Sequence, residues 1–275
     1  MEIVSHFSHL KPLILTRGYK RSGKTAELVN ARSDIGWKVY GDEPWMYAQR
    51  TSAPIVVAAN RRDARPMIDA SRPGVVVMDD GFQHVALKRD VDLVAINVDK
   101  DPATSHCLPY GELREPLSAL RSAAVLVFTG TKDSKYLKSW TEVVGSFLEE
   151  DRVFFAQRKT QGFYEGATST ELLRDDLVFA VCGIAEPERF FQDVQRQTSM
   201  VGKLAYPDHW DYSDADLKRL HAAFRESRAN VMVTTEKDYF KLVSKMTGVR
   251  VVSLRVSYEI PPTLWSFLEA RMGAA

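Results

Sequence analysis

Short continuous apolar runs, rich in β-branched residues, recur along the chain and are separated by more polar segments. Continuous rather than alternating hydrophobicity is typical of strands that are covered on both faces, as in a parallel sheet. The first series of predicted strands comprises residues 12–16, 37–40, 54–58, 74–78, 91–96 and 123–128. The second series comprises residues 152–156, 177–181, 231–234 and 249–254.

Helix-compatible segments lie between several of these runs. They comprise residues 43–50, 140–149, 187–197 and 214–227. Because strands and helices alternate, the sequence predicts an α/β fold with a doubly wound, mostly parallel sheet and right-handed crossovers. The polar, glycine-containing stretch 157–170 is the predicted linker between a core domain at 1–156 and a smaller C-terminal α/β lobe at 171–275.

Composition narrows the class of protein without selecting a function. The chain has 275 residues, of which 45% are apolar and 27% charged, and this excludes disordered, collagen-like and disulfide-scaffold proteins. A net charge of +1 gives no global field that would select nucleic acid, and no protein partner is evident. Cys107 and Cys182 lie far apart without metal-ligand spacing, which indicates free thiols in a reducing compartment. No apolar run approaches the roughly 20 residues of a membrane-spanning helix, so we predict a cytoplasmic location.

Polar residues follow several predicted strands directly. Because ligands bind at the carboxyl ends of parallel strands, these clusters are the first candidates for a site. They lie at residues 16–19, 41–44, 79–84 and 234–238.

Asp79 and Asp80 follow four apolar residues of a predicted strand. Paired carboxylates at a strand end can hold a hydrated Mg²⁺ beside nucleotide phosphates, as the Walker B strand of P-loop enzymes does. The alternative is an ordinary Asp-Gly turn, because Gly81 comes next.

Two further candidates have the chemistry of proton transfer. Asp42, followed by Glu43 and Pro44, could act as a general base that takes a proton from an attacking hydroxyl. It could equally be the N-cap of the next helix. His209 is flanked by acidic residues at 208 and 211, an arrangement that can relay protons, although a single histidine in a loop can also be merely exposed.

Residues 18–25 match the P-loop pattern of glycine, four residues and Gly-Lys-Thr, and they follow a predicted strand. No convincing amphipathic helix comes after Thr25 before a predicted break at 34–36. An exposed basic loop is the other interpretation, and it suits phosphate groups of a substrate or of an anionic lipid. Its cations are Lys11, Arg17, Lys20, Arg21 and Lys24.

Taken in order, seven motifs resemble those of the tetraacyldisaccharide 4'-kinase family of lipid A biosynthesis. They lie at residues 16–19, 41–44, 79–84, 108–117, 182–191, 207–209 and 235–238, and together they extend over nearly the whole chain. The resemblance implies a P-loop kinase core with a smaller C-terminal lobe. It also implies transfer of the ATP γ-phosphoryl group, with Mg²⁺, to the 4'-hydroxyl of tetraacyldisaccharide 1-phosphate. This acylated glucosamine disaccharide lies at the cytoplasmic face of the inner membrane, where the enzyme would be peripheral.

The resemblance also implies roles for particular residues. Asp42 matches the catalytic base and His209 its partner, while Asp79 and Asp80 match the Mg²⁺ ligands. The residues expected on the substrate side are Arg17, Glu43, Gln83, Arg114 and Glu115.

The P-loop of the family precedes the strand that ends in Thr-Arg-Gly-Tyr, and this chain begins after it. We therefore interpret the match at 18–25 as coincidental, which leaves Gly23, Lys24 and Thr25 as a weak nucleotide-binding candidate. We expect the chain to be an N-terminally shortened kinase with little or no activity. The alternatives are a non-catalytic remnant that binds the acylated disaccharide or the membrane surface, and a soluble small-molecule kinase that uses Lys24.

Overall fold

The computed structural model describes residues 1–31 and 36–273. Contacts between residues divide the chain into two compact units. Unit 1 comprises Met1, Ile3–Asp79 and Thr160–Val256, and unit 2 comprises Glu2, Asp80–Lys159 and Ser257–Ala275.

The strands, numbered along the chain, are β1 (Pro12–Thr16), β2 (Glu27–Leu28), β3 (Ile55–Val57), β4 (Val75–Met78), β5 (Leu93–Asn97), β6 (Val125–Thr129), β7 (Val153–Phe155), β8 (Gln157–Glu165), β9 (Thr168–Thr170), β10 (Leu177–Gly183), β11 (Ser199–Tyr206), β12 (Val231–Thr235) and β13 (Arg250–Glu259). The α-helices are α1 (Glu2–His6), α2 (Gly36–Tyr40), α3 (Asp42–Arg50), α4 (Arg65–Ser71), α5 (Leu137–Gly145), α6 (Pro187–Gln195), α7 (Asp214–Glu226), α8 (Glu236–Leu242) and α9 (Pro262–Gly273). Short 3-10 turns lie at Ser8–Leu10, Arg61–Ala64, Pro102–Thr104, Leu117–Ser122 and Glu150–Arg152.

The first sheet of unit 1 has the strand order β2-β3-β1-β4. Its central strand β1 pairs in parallel with β3 on one side and with β4 on the other. Every residue of β1 is buried, which explains the continuous apolar run in the sequence. Because β1 and β4 are parallel neighbours, their carboxyl ends bring Thr16 and Asp79 together.

A second sheet has the order β11-β10-β12-β13-β8-β9, and parallel pairing joins its first four strands. Strand β10 shows why these strands lack alternation. Val178 and Ala180 pack into one apolar cluster, whereas Phe179 and Val181 pack into another. Both faces are therefore covered, as the sequence predicted.

The strands of unit 2 form a parallel sheet in the order β5-β6-β7. Leu126 and Phe128 of β6 pack with Trp140 and Val144 of α5 in one buried cluster. The predicted strands at 91–96, 123–128 and 152–156 are thus confirmed, and the helix predicted at 140–149 begins earlier and ends earlier.

Two local predictions were wrong. Residues 37–40, predicted as a strand, belong to helix α2, where the amide of Gly41 donates to the carbonyl oxygen of Trp37 in a helical turn. Residues 157–170 do not form an open linker, because they contain β8 and β9. The division into domains at 1–156 and 171–275 stays a prediction.

The helices of the structure can be compared with those that cross a membrane. Within residues 1–31 and 36–273, no helix has both the length and the apolar character that crossing a membrane requires.

Candidate active site

Asp42 begins helix α3, directly after Gly41. Gly41 occupies the N-cap position with φ of +96°, and a Cβ atom there would lie only 2.8 Å from the carbonyl oxygen of Tyr19. The alternative in which Asp42 is the N-cap is therefore wrong. Its carboxylate lies in the first turn of the helix, where the helix dipole favours negative charge.

The carboxylate of Asp42 contacts two side chains from distant parts of unit 1, a lysine and a histidine. Lys241 Nζ donates to Asp42 Oδ2 over 2.5 Å, and His209 Nδ1 lies 3.1 Å from the same oxygen. A carboxylate only accepts, so Nδ1 is the protonated nitrogen in this contact. The side chains are largely inaccessible, with exposures of 0% for Lys241, 10% for Asp42 and 15% for His209.

Lys241 is held in place from both ends. Its ammonium also donates to the carbonyl oxygen of Trp210 over 3.0 Å. Its backbone belongs to α8, which Thr235 caps by accepting from the amide of Asp238 over 3.2 Å. The buried cation is therefore paired and oriented before any ligand arrives.

Asp238 and Gly183 connect the elements that carry the two partners of Asp42. The buried carboxylate of Asp238 accepts from the amide of Gly183 over 2.7 Å and from the Thr235 hydroxyl over 2.8 Å. The carbonyl oxygen of Gly183 accepts from the amide of His209 over 3.3 Å. Burial raises the pKa of Asp238 above its ordinary value, although the Gly183 amide acts against this.

Glu43 and Asp79 lie near each other in unit 1. Burial, and then the negative charge of Asp79, raise the pKa of Glu43 above its ordinary value. Asp79 Oδ2 accepts from the hydroxyl of Thr16 over 3.0 Å. Burial and the charge of Asp79, to which its phenol is hydrogen-bonded, raise the pKa of Tyr47. Two hydroxyls thus fix the orientation of the Asp79 carboxylate.

Asp80, in unit 2, has a different environment. Arg114 Nη1 donates to both of its carboxylate oxygens, over 2.9 and 2.8 Å, and to Gln83 Oε1 over 3.3 Å. The hydrogen bond and charge of Asp80 raise the pKa of Arg114. Three predicted residues of this unit therefore form one cluster, while Glu115 is exposed beside it in the chain.

The donor set at Asp79 fits a magnesium ion. Mg²⁺ usually takes one or two carboxylates and completes its shell with water and phosphate oxygens. Asp79 supplies an oriented carboxylate of this kind, with the Thr16 hydroxyl next to it. Among the described residues there is no group of three or more histidine, cysteine or acidic side chains that could hold a metal by themselves.

In the part of the chain that the structure describes, no helix directly follows the P-loop match at 18–25, as a P-loop requires. The described residues after Thr25 contain the short strand β2, and the next described helix begins at Gly36. Arg21 is held by Glu27 and by the carbonyl oxygen of Thr25. Part of the predicted break at 34–36, namely 34 and 35, lies outside the described residues. Arg17 is exposed directly after β1.

Comparisons with known proteins give the family. The family model described as tetraacyldisaccharide-1-P 4'-kinase (LpxK) matches residues 2–273. This chain belongs to the tetraacyldisaccharide-1-P 4'-kinase family. The predicted family, fold class and kinase class are thereby confirmed.

Individual members of the family agree with this assignment. A tetraacyldisaccharide 4'-kinase of Desulfotalea psychrophila is 31% identical over 261 residues, which cover 90% of this chain and 73% of the relative. A tetraacyldisaccharide 4'-kinase of Neisseria meningitidis is 33% identical over 263 residues, which cover 94% of this chain and 72% of the relative. The crystal structure of "apo" form LpxK from Aquifex aeolicus in complex with ATP matches with a TM-score of 0.74 and 25% identity, over 98% of this chain and 82% of that one.

Sequence reasoning missed Lys241, the residue in shortest contact with Asp42. The motif at 235–238 was recognised, but Lys241 follows it in Tyr-Phe-Lys-Leu, where nothing distinguishes it from a surface lysine. The spacing of three residues between Asp238 and Lys241 in helix α8 could have identified Lys241. Residues three apart on one helix share a face, so a buried acid indicates that the lysine is buried as well.

Proposed function

We propose that this chain transfers the γ-phosphoryl group of ATP to the 4'-hydroxyl of tetraacyldisaccharide 1-phosphate, with Asp42 as the general base. The observation that carries the proposal is the contact of Asp42 with both His209 and Lys241 in a chain of this family. Phosphoryl transfer needs positioning and charge stabilisation more than covalent chemistry, and the site offers these.

In the proposed reaction the 4'-oxygen attacks the γ-phosphorus. The hydroxyl O–H bond breaks, the new O–P bond forms, and the bond from the γ-phosphorus to the ADP oxygen breaks. Asp42 accepts the hydroxyl proton. In the described part of the chain neither bond of Asp42 uses Oδ1, so Oδ1 is the oxygen proposed to accept it.

His209 and Lys241 have separate parts in this proposal. Lys241, which is fully buried, compensates the charge of Asp42 and holds its carboxylate in one orientation. His209 donates to Asp42 through Nδ1, and its Nε2 lies 3.8 Å from Asp208, a carboxylate towards solvent. Because Nδ1 already carries a proton, His209 orients the Asp42 carboxylate and does not itself take the proton that Oδ1 accepts.

Asp79 is the residue proposed to hold Mg²⁺, with Asp80 as the second predicted ligand. Bound there, Mg²⁺ would neutralise charge on the transferred phosphoryl group. The hydrogen bonds from Thr16 and Tyr47 support this role, because they orient the carboxylate without neutralising it. Arg17, Glu43, Gln83, Arg114 and Glu115 remain proposals for the substrate side.

Asp42→Asn tests the proposed base. Asparagine keeps the shape but cannot accept the proton, so we expect kcat to fall by about 10²–10⁴-fold while KM for ATP changes little. Transfer of labelled phosphate from ATP to tetraacyldisaccharide 1-phosphate is the measurement. It is made side by side on the wild type and on the variant.

The control is Asp69→Asn, an exposed aspartate whose pairing with Arg65 is on the surface of α4. It should retain full activity. An Asp42→Asn enzyme that turns over at the wild-type rate would remove Asp42 from the mechanism.

We also propose that the enzyme meets its acylated acceptor at the cytoplasmic face of the inner membrane, as a peripheral protein. Large apolar side chains exposed on loops of unit 2 support this. They are Val85, Leu108 and Tyr110, with exposures of 88%, 66% and 90%. Side chains of this kind on loops can enter a lipid surface, where burial of apolar area stabilises attachment.

A further inference from the structure

A cleft of about 320 Å³ lies beside Asp42 in unit 1. Three lysines line it, Lys20, Lys38 and Lys245, together with the ring of Trp37. Sites for small ligands have volumes of about 300–1,000 Å³, so the cleft is large enough for one charged headgroup. A ligand in it would lie next to the proposed base.

Positive charge is concentrated around Trp37. The ammonium groups of Lys38, Lys245 and Lys241 lie 5.2, 5.6 and 5.9 Å from its ring centroid. The charge of Lys241 is compensated by Asp42. Asp211 is the other acidic residue that lines the cleft, against Lys20, Lys38 and Lys245, so the cleft wall keeps a net positive charge.

The hydrogen bonds of the cleft lysines go to neutral acceptors. Lys245 Nζ donates to the carbonyl oxygens of Asp211 and Tyr212, over 3.2 and 3.1 Å. Lys20 Nζ donates to the carbonyl oxygen of His209 over 3.3 Å. Backbone carbonyls orient an ammonium group without neutralising it, so these lysines keep their charge for a ligand.

Repulsion between the positive charges of Lys38 and Lys245 destabilises the cleft when no ligand is bound. Burial, and then the charge of Lys38, lower the pKa of Lys245, against the opposite effects of Asp211 and Asp214. An anion between Lys38 and Lys245 would relieve this repulsion. Electropositive clefts of this kind concentrate anionic ligands.

We infer that Lys20, Lys38 and Lys245 form a subsite for a phosphate group of a reactant. The inference rests on the proposed function, because it assigns the cleft to that reaction. Phosphate is the shared chemistry, and it has two sources, the 1-phosphate of the acceptor and the phosphates of ATP. Asp42 lines the cleft, but Asp79, the residue proposed to hold Mg²⁺ beside the phosphates of ATP, does not, and this favours the acceptor.

The experiment measures binding without turnover, so that it does not depend on catalysis by Asp42. Isothermal titration calorimetry compares tetraacyldisaccharide 1-phosphate with its 1-dephosphorylated form, both in detergent micelles, and separately ATP. The variants are Lys38→Met and Lys245→Met. Lys245→Arg tests rescue, and Lys218→Met, an exposed lysine on α7, is the matched control.

We expect each methionine variant to bind the phosphorylated acceptor about tenfold more weakly, the usual loss of one hydrogen bond to a charged group. Binding of the dephosphorylated acceptor and of ATP should not change, and Lys245→Arg should restore most of the affinity. Weaker binding of ATP alone would support the subsite with the nucleotide as its source. Equal losses for both acceptor forms, or no loss in Lys38→Met and Lys245→Met, would overturn the inference.

These outcomes are separate from the fate of the proposed function. An active Asp42→Asn enzyme would contradict the base but leave the binding comparison intact. Unchanged binding in the lysine variants would contradict the subsite but leave Asp42 in place. Because Lys38 is exposed, its variant should fold even where Lys245→Met does not.

Discussion

Lys241 is a charged side chain with no exposure to solvent, and its partner is the proposed base. A buried ammonium is tolerated only where a carboxylate and further hydrogen bonds compensate it. Asp42 and the carbonyl oxygen of Trp210 do so here. The contact therefore links stability and activity at one position.

We predict that Lys241→Met destabilises the protein by about 3–5 kcal/mol, because it leaves a buried carboxylate without its partner. Activity should fall by at least about 10²-fold, since an oriented base is lost. Urea unfolding and the phosphate-transfer assay measure the two effects.

Lys241→Arg separates charge from packing, because it keeps the cation in a different shape. It should recover part of the activity and part of the stability that Lys241→Met loses. A methionine variant with normal stability and normal activity would show that the ion pair is unimportant.

At this scale the sequence predicted Asp42, Glu43, Asp79 and His209 as candidates, because each follows a strand or lies in a recognisable motif. It could not show that Asp42 and His209 touch, since 167 positions separate them in the chain. The sequence did not identify Lys241 as a candidate. Its burial depends on how α8 packs, and the sequence of a short helix does not show that this lysine is buried.

Helix α8 depends on Asp238 at its N-terminus, where the buried carboxylate accepts two hydrogen bonds. Burial raises the pKa of Asp238 in the folded protein. The folded state therefore holds this proton to higher pH than the unfolded chain does. The stability that Asp238 contributes is full below its unfolded pKa of about 3.9 and declines as the pH rises above that value.

We predict that Asp238→Asn removes this decline. Asparagine still accepts from Gly183 and Thr235 but carries no charge to bury. Relative to wild type, the variant should become more stable as the pH rises above about 3.9, by a difference that grows until the pH passes the raised pKa of Asp238. Urea unfolding at several pH values measures it. A difference that stays constant across the range would contradict the raised pKa.

The pattern of apolar and polar residues predicted most of the strands and helices, and β1 and β10 show why. Strands buried on both faces leave a continuous apolar run, whatever surrounds them. Residues 37–40 were predicted wrongly because four residues fit either period. The helical turn is closed by Gly41, which has a φ of +96° and leaves no room for a Cβ atom beside the carbonyl oxygen of Tyr19. Strand β11, with alternating burial, left no continuous run and was missed.

For the whole molecule, the family and its α/β architecture could be predicted because several motifs occur in order. The arrangement of strands could not. Strand β8 lies beside β13 in the second sheet although the two are far apart in sequence. Neither the polar character of 157–170 nor its glycines indicated such pairing, which depends on contacts made only after folding.

Attachment to membranes is a property of the whole protein, and we predict that loops of unit 2 contribute to it. Replacing Val85, Leu108 and Tyr110 with serine should lower binding to vesicles of phosphatidylethanolamine and phosphatidylglycerol by at least about tenfold. Burying one such side chain is worth about 1.5–3 kcal/mol. Co-sedimentation measures the change.

The control replaces Leu173 and Val201 of unit 1, which are also exposed, at 66% and 42%. These serine variants should bind vesicles as the wild type does. If both sets of variants lost vesicle binding equally, binding would depend on the total exposed apolar surface and not on the loops of unit 2. If the variants of Val85, Leu108 and Tyr110 lost no binding, these loops would not contact the membrane.

Gly183 has a role that extends beyond its own position. Its amide holds Asp238 at the start of the helix that carries Lys241, and its carbonyl holds the backbone of His209. A Cβ atom there would come within 3.2–3.3 Å of Pro207, Tyr212 and Asp238. A larger residue at 183 would therefore press on Asp238, and because the backbone of Gly183 bonds to both Asp238 and His209, we expect one substitution there to disturb both contacts of Asp42.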